Sequence, residues 1–414
     1  MKNGWEIKTL GEVCEKITRG ISPKYTDGKG VTVLNQKCIR DHKIDLSFSR
    51  LHDDASKKVT AEKFIKLGDV LVNSTGEGTL GRVAQVQELI SDRITVDSHV
   101  SIVRPYLGKF YPDFFGYAMI FIENEITESG AGASGQTELA RTVLENSFKI
   151  TYPSLISEQR HIVSILDEAF AAIDKAKTNT EKNLQNAKEL FESYLQAVFA
   201  NPGEDWVQKR LEDVAKVSGG YSFKSTDFKK SGKYQVLRMG NVRPGIIRGE
   251  ESPVFIDKIE ESALSRALLK RGDVIITQTG TKNKRDYGFT VIINQDNYLL
   301  NQRIASIRFS ENYLAEFFLY YSWTNSFKDQ FFANETGTVG QGNVGIGAVT
   351  DAMVPVCSLD EQRRIVSKIK SLSTETKKLE SIYQQKLNDL EELKKSILQK
   401  SFRGELKTKQ EVLV

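Results

Sequence analysis

The 414-residue chain carries one pattern twice, and that duplication limits what it can fold into more than any other feature. Trp5, Leu10 and Val13 return as Trp206, Leu211 and Val214, 201 residues later. Gly68-Asp69-Val70 returns as Gly272-Asp273-Val274, and Gly76 as Gly280, both 204 residues later. Glu158-Gln159-Arg160 returns as Glu361-Gln362-Arg363, and the segment 190–199 returns as 393–402, at an offset of 203. An offset this steady, with slips that differing loop lengths leave behind, marks two copies of one domain.

Each copy has two parts. The first mixes apolar stretches rich in Val, Ile and Thr with glycine-rich connections. Stretches 32–36, 70–73, 94–104, 234–238, 274–277 and 289–293 are expected as strands, and 114–126 and 313–332 as helices. The second part is a helix. In the later copy Ile365, Ile369, Leu372, Thr376, Leu379, Tyr383, Lys386, Leu390, Leu393 and Ile397 alternate spacings of four and three. The earlier copy has Ile162, Leu166, Ala169, Ile173, Ala176, Thr180, Asn183, Ala187, Leu190 and Tyr194 in the same register. That is a heptad seam of about five heptads, with Ser157 and Asp360 expected as N-caps and Asn201-Pro202-Gly203 as the stop of the first helix. Each helix would be roughly 60 Å long. Two matching seams favour pairing with each other, and the connectivity makes them antiparallel.

The expected fold is therefore a tandem duplicate of α/β (α+β) domains, 1–154 and 202–357, joined by two long antiparallel coiled-coil helices, 155–201 and 358–414, with pseudo-twofold symmetry. The polar seam positions Thr180, Asn183, Thr376 and Lys386 would weaken the seam but fix its register. Phe402-Arg403-Gly404 should finish beside Trp5.

Catalytic motifs are missing. There is no GxxxxGK[ST] loop for ATP, no GxGxxG between a strand and a helix, and no Asn/Asp-Pro-Pro-aromatic signature of an amino-methyltransferase. Segment 337–347 is rich in glycine, which is most economically a mobile loop, the alternative being a backbone that approaches phosphate or base closely. Cys14, Cys38 and Cys357 form no CxxC pair, and His42, His52, His99 and His161 are scattered, so no metal is expected. No apolar run is as long as a membrane span and no signal core is evident, so a cytoplasmic location is expected. The 58 Lys and Arg nearly balance 54 Asp and Glu, so any basic surface must come from local arrangement.

The polar groups placed to meet a partner lie between strands. In the first copy they are Arg19, Asn35, Gln36, Lys37, Asn73, Ser74, Arg82 and His99; in the second, Tyr221, Arg238, Asn241, Arg243, Gln278, Lys282, Asn283, Lys284, Arg285 and Arg303. Arg, Asn, Gln and Lys are side chains able to read base edges, while Lys, Ser and Thr hold phosphates. Equivalent places carry different residues: Asn35 answers Arg238, Lys37 answers Gly240, and His99 answers Arg303. A constant scaffold with differing polar groups suits two modules that read two sequences. The alternative is a duplicated coiled-coil adaptor that binds proteins or peptides rather than DNA. Glu158, Gln159, Arg160, Glu361, Gln362 and Arg363, the same in both copies, are expected to serve subunit docking or helix entry.

The sequence resembles the specificity subunits of type I restriction-modification systems along nearly its whole length. The resemblance is strongest in 33–40 (VLNQKCIR), in Gly135-Gln136 with its partner Gly340-Gln341, in the two Glu-Gln-Arg helix starts, and in 178–184 leading to 191–195. It implies two target recognition domains, each reading half of a split, asymmetric double-stranded DNA site. It also implies two long helices that dock two methyltransferase subunits, with restriction (motor) subunits as further partners. S-adenosylmethionine, ATP and magnesium would then belong to those partners. The purified chain alone is expected neither to hydrolyse ATP nor to methylate DNA, which radiolabelled methyl-transfer and phosphate-release assays check directly.

Overall fold

The computed structural model describes residues 4–129, 138–282, 284–338 and 340–406. The chain forms two compact units, residues 1–180 with 385–414, and residues 181–384. Gly135-Gln136 and Asn283 lie outside the described residues.

The first unit is built on an antiparallel sheet in the order Cys14–Arg19, Val100–Pro105, Val70–Asn73, Val83–Gln85. A second, mixed sheet pairs Val31–Leu34 in parallel with Ile94–Val96 and antiparallel with Arg50–His52. Trp5–Thr9 pairs with Lys149–Pro153, which carries the chain into the long helix. The second unit repeats the scheme. Its main sheet runs Ala215–Gly219, Ile304–Phe309, Val274–Thr277, Thr290–Ile292. Tyr234–Leu237 pairs in parallel with Tyr298–Leu300, and Val207–Arg210 pairs with Met353–Val356. Val70–Asn73 and Val274–Thr277 fall where the apolar runs placed them, and every residue in both is buried, as the middle of a covered sheet requires. Each unit also needs one glycine for a close backbone approach. A Cβ on Gly20 would lie 2.0 Å from the Val96 carbonyl oxygen, and one on Gly220 would lie 1.9 Å from that of Asn301.

A bidentate ion pair ties the main sheet to the preceding turn in both units. Arg104 Nε and Nη2 donate to the two carboxylate oxygens of Asp69 at 2.6 Å each. Arg308 does the same to Asp273 at 2.7 and 2.6 Å. The carboxylates also accept the Lys66 and Lys270 amides.

The long helices run Ile156–Ala200 and Leu359–Phe402, 45 and 44 residues. In the first unit the start of the central helix (Ile162, Leu166, Phe170) and the end of the C-terminal helix (Leu398, Phe402) enter one core with Trp5 and Phe114. In the second unit the end of the central helix (Leu195, Phe199) meets the start of the C-terminal one (Ile365, Ile369). Phe402 packs against the Phe114 and Phe121 rings at 5.2 Å, and Phe199 against Phe317 at 5.2 Å. Phe402 thus finishes in the same core as Trp5, as the connectivity required. Within the first unit Asp174 meets Lys394 and Lys177 meets Glu391, so the two segments run in opposite directions.

The seam differs from the heptad register in its later half. Asn183, Leu190, Leu379, Lys386 and Leu393 are exposed, and Leu184, Phe191, Glu380, Leu387 and Lys394 take the more buried places. Thr180, Ala187, Tyr194, Thr376, Tyr383, Leu390 and Ile397 keep their seven-residue spacing and stay inward, so the repeat itself holds and only the position between them moves on by one residue. Thr180 and Thr376 are buried as expected, and each hydroxyl donates to the carbonyl four residues back, at 2.7 and 2.9 Å. The helix starts also shift: each begins one residue before the expected cap, and Ser358 Oγ accepts the Glu361 amide at 3.3 Å.

Asp69→Asn should cost up to about 3–5 kcal/mol, because it takes the bidentate partner from Arg104, whose side chain is only 9% exposed, and leaves only Glu15 at 3.9 Å. Asp273→Asn should cost less, since the Arg308 side chain is 44% exposed and water can solvate it. Urea unfolding of the two variants checks the order.

Candidate nucleic-acid interface

The polar groups of the first unit surround the turn that follows Val31–Leu34. Asn35 Oδ1 accepts the Lys37 amide at 2.8 Å and its Nδ2 donates to the Phe48 carbonyl at 2.6 Å, so both ends of the side chain hold the turn. Beside it, Gln36 Oε1 accepts from Thr79 Oγ1, and Thr75 Oγ1 lies 2.7 Å from His99 Nδ1. His99 and Lys37 are exposed. The His99 amide donates to Asp97, whose burial raises its carboxyl above the usual range against that stabilising bond. Arg19 pairs with Glu138 and donates to the Leu139 carbonyl, and Arg82 Nη2 donates to Gly78 O at 2.9 Å.

In the second unit Arg238, Gly240, Asn241 and Arg303 line one open groove of about 630 Å³, with Glu251, Ser252, Asn301 and Gln302. Tyr221 packs on Phe223, and Arg243 Nη1 donates to the Gly240 and Val242 carbonyls. Lys282, Lys284 and Arg285 sit apart, on the turn after Thr279–Gly280, with Arg285 over the Phe332 ring.

Several expected contact residues are structural instead. Asn73 and Ser74 are fully buried: Asn73 Nδ2 donates to the Gln36 carbonyl at 3.0 Å and Ser74 Oγ lies 2.6 Å from Ser101 Oγ. Asn241 is buried beneath its turn, and Gln278 is buried with its Nε2 donating to Val344 O at 3.1 Å. Part of the glycine-rich stretch is held in structure: Gly342–Asn343 pairs with Thr279–Gly280, and Ile346–Thr350 is helical. Cys38, burial pushing its thiol up to about 11, is inert packing.

The two Glu-Gln-Arg helix starts hold a duplicated device. Gln159 Oε1 accepts the Tyr111 amide at 2.8 Å while its Nε2 donates to the Pro153 carbonyl at 2.9 Å. Gln362 Oε1 accepts the Leu314 amide at 2.7 Å while its Nε2 donates to the Cys357 carbonyl at 2.9 Å. Both are fully buried, so neither is a docking surface; they fasten helix to domain. Glu158 accepts from Trp5 Nε1, and Glu361 pairs with Arg364, which holds its carboxyl below the usual range. Arg160 and Arg363 are exposed.

The contributions of Asn301 and Gln302 were missed in the sequence. Their signal was there: the turn between Tyr298–Leu300 and Ile304–Phe309 lies 204 residues after the turn that holds Asp97.

A family model described as the type I restriction modification DNA specificity domain matches the chain twice, over residues 2–185 and 203–392. The chain belongs to that family of DNA specificity subunits. It is 23% identical over 424 residues to the specificity subunit of the type I restriction enzyme MjaVIII from Methanocaldococcus jannaschii, covering 98% of this chain and 93% of that one. It is 25% identical over 301 residues to the EcoKI specificity subunit from Escherichia coli K12, covering 68% and 62%. Among solved structures it is similar to the HsdS subunit from Thermoanaerobacter tengcongensis, with 19% identity, a TM-score of 0.62 and 98% of each chain covered. A chain from a structure described as showing assembly and conformational transition of the type I R-M system gives a TM-score of 0.77 at 18% identity, covering 98% of this chain and 99% of that one. Family and fold together support DNA sequence specificity as the function and do not favour the adaptor.

Asn73→Ala should lower stability and leave the preferred DNA sequence unchanged, because the lost amide supports the Gln36 turn from within. A thermal melt alongside mapping of methylated sites checks this.

Proposed function

We propose that the two units read the two halves of a split, asymmetric target in double-stranded DNA. The domains are assigned to 1–154 and 202–357, with 155–201 and 358–414 as spacers. One observation carries the proposal: the turns that follow Val31–Leu34 and Tyr234–Leu237, and those that precede Val100–Pro105 and Ile304–Phe309, share a scaffold and present different side chains. Exposed Lys37 and His99 are the readers of the first unit, half-buried Arg238 and exposed Arg303 those of the second. Arg19, Arg82, Arg243, Lys282, Lys284 and Arg285 are assigned to the phosphates, where a fixed charge is enough.

The chain supplies specificity and no chemistry of its own. Methyl transfer and ATP-driven cleavage, with S-adenosylmethionine, ATP and magnesium, belong to methyltransferase and restriction subunits in the cytoplasm. No described helix is long and apolar enough to cross a membrane, which leaves the long helices available to partners. Two methyltransferase copies are proposed to dock on them. Leu190 and Leu393, 51% and 47% exposed at equivalent positions of the repeat, supply the matching apolar contact on each helix, with Arg160 and Arg363 as charged contacts.

The test is to express the chain with its methyltransferase subunit and map methylated adenines. A bipartite motif is expected, and His99→Ala together with Lys37→Ala should relax one half and leave the other unchanged. Charge reversal of Arg160 and Arg363 should reduce copurification of the methyltransferase without altering the motif. Equal relaxation of both halves would mean that these residues do not divide the target between the units.

A further inference from the structure

The turn that begins at Asn35 in the first unit begins at Arg238 in the second, and the two copies hold it by different means. In the first, Asn35 itself caps the turn and Cys38 fills the space beneath. In the second, the capping amide has moved to the fourth position. Asn241 Oδ1 accepts the Arg238 amide at 3.0 Å, and its Nδ2 donates to the Arg248 and Glu251 carbonyls at 3.1 and 2.9 Å. The side chain at position 238 is thereby released from the duty that occupies Asn35. Its Nη2 donates to the Ser252 carbonyl at 2.6 Å, and the other guanidinium donors have no partner among the described residues.

Arg303 lines the same groove. Its backbone has φ of +71°, a left-handed conformation that a side chain such as arginine rarely adopts. The conformation is pinned from below: the Gln278 amide donates to the Arg303 carbonyl at 2.9 Å, and Gln278 exchanges two hydrogen bonds with the backbone of Val344. The Arg303 guanidinium is exposed and makes no hydrogen bond or ion pair among the described residues. The one acidic residue of the groove, Glu251, is paired with Arg248 at 3.0 Å. Two guanidinium groups with open donors therefore share one groove without a counter-charge.

Phosphate needs only charge, and the flexible lysines elsewhere on this unit would serve. The Arg303 backbone, pinned from below, and the bond from Arg238 to the Ser252 carbonyl instead set where each arginine enters the groove, with forked donors left open. Planar forked donors match the O6 and N7 acceptors of guanine in the major groove. Resting on the DNA-reading assignment above, we propose that Arg238 and Arg303 make the second unit require guanine in its half-site, whereas the first unit, with Asn35 committed to its own turn and His99 in place of Arg303, has no such requirement from these positions.

Charge-keeping substitutions separate base reading from phosphate binding. In the chain expressed with its methyltransferase, Arg238→Lys and Arg303→Lys should each relax a G·C position in one half of the mapped motif. Discrimination there should fall roughly 5- to 150-fold, with the other half and the gap unchanged. The salt dependence of DNA binding by the complex should stay as in the parent, because the charge is kept. Circular dichroism melts of both variants should match the parent, since neither side chain supports the core. A motif unchanged by lysine but weakened throughout by alanine, with a shallower salt slope, would make these phosphate contacts and overturn the proposal while leaving DNA reading intact. A relaxed position that is A·T in the parent motif would also overturn it. A parent complex without sequence preference would remove the DNA-reading assignment itself, and this proposal with it.

Discussion

The structure depends on how each long helix is joined to the domain it leaves, and that junction is a buried glutamine. Gln159 and Gln362 each accept from the backbone of the segment after the main sheet and donate to the strand that ends in the helix. An amide is suited to this place because it offers a donor and an acceptor at fixed geometry without charge. A carboxylate could not donate to the carbonyl, and an apolar side chain would leave two backbone groups unpaired inside the protein, at about 1–3 kcal/mol for each. The clamp fixes the angle at which the helix departs, and the terminal phenylalanine of the other helix then packs into the same core.

The fold was legible because its strongest signals are local and doubled. Gly-Asp turns followed by three β-favouring apolar residues point to covered strands, and Val70–Asn73 and Val274–Thr277 lie where expected. The site was less legible. A polar residue in one sequence looks the same whether it faces solvent or supports a turn from within, so Asn73, Ser74, Asn241 and Gln278 were placed on the surface and are buried. The duplicated glutamines gave a usable hint, since residues kept identical in two copies whose exposed turns differ are better suited to the scaffold than to reading. The heptad register failed in one of its two positions only: in the later half the residue four places after each retained inward position, rather than three, turns inward.

That one-position shift changes what the helices offer. Leu190 and Leu393 were counted into the seam and instead stand at its edge, half in water. An apolar residue in that position does little for its own helix pair. Its recurrence in both copies is what the proposed docking of partner subunits rests on, as the cap moved to Asn241 is what the proposed reading by Arg238 rests on.

The burial of Leu398 and Phe402 with Trp5 and Phe114 has a consequence for how the chain is made. The second unit is continuous in sequence, 181–384, and all its core residues leave the ribosome in one stretch. The first unit begins first and finishes last, because its core includes two side chains synthesised after the whole second unit. During translation its aromatic cluster stays incomplete until Leu398 and Phe402 have been made, after every core residue of the second unit.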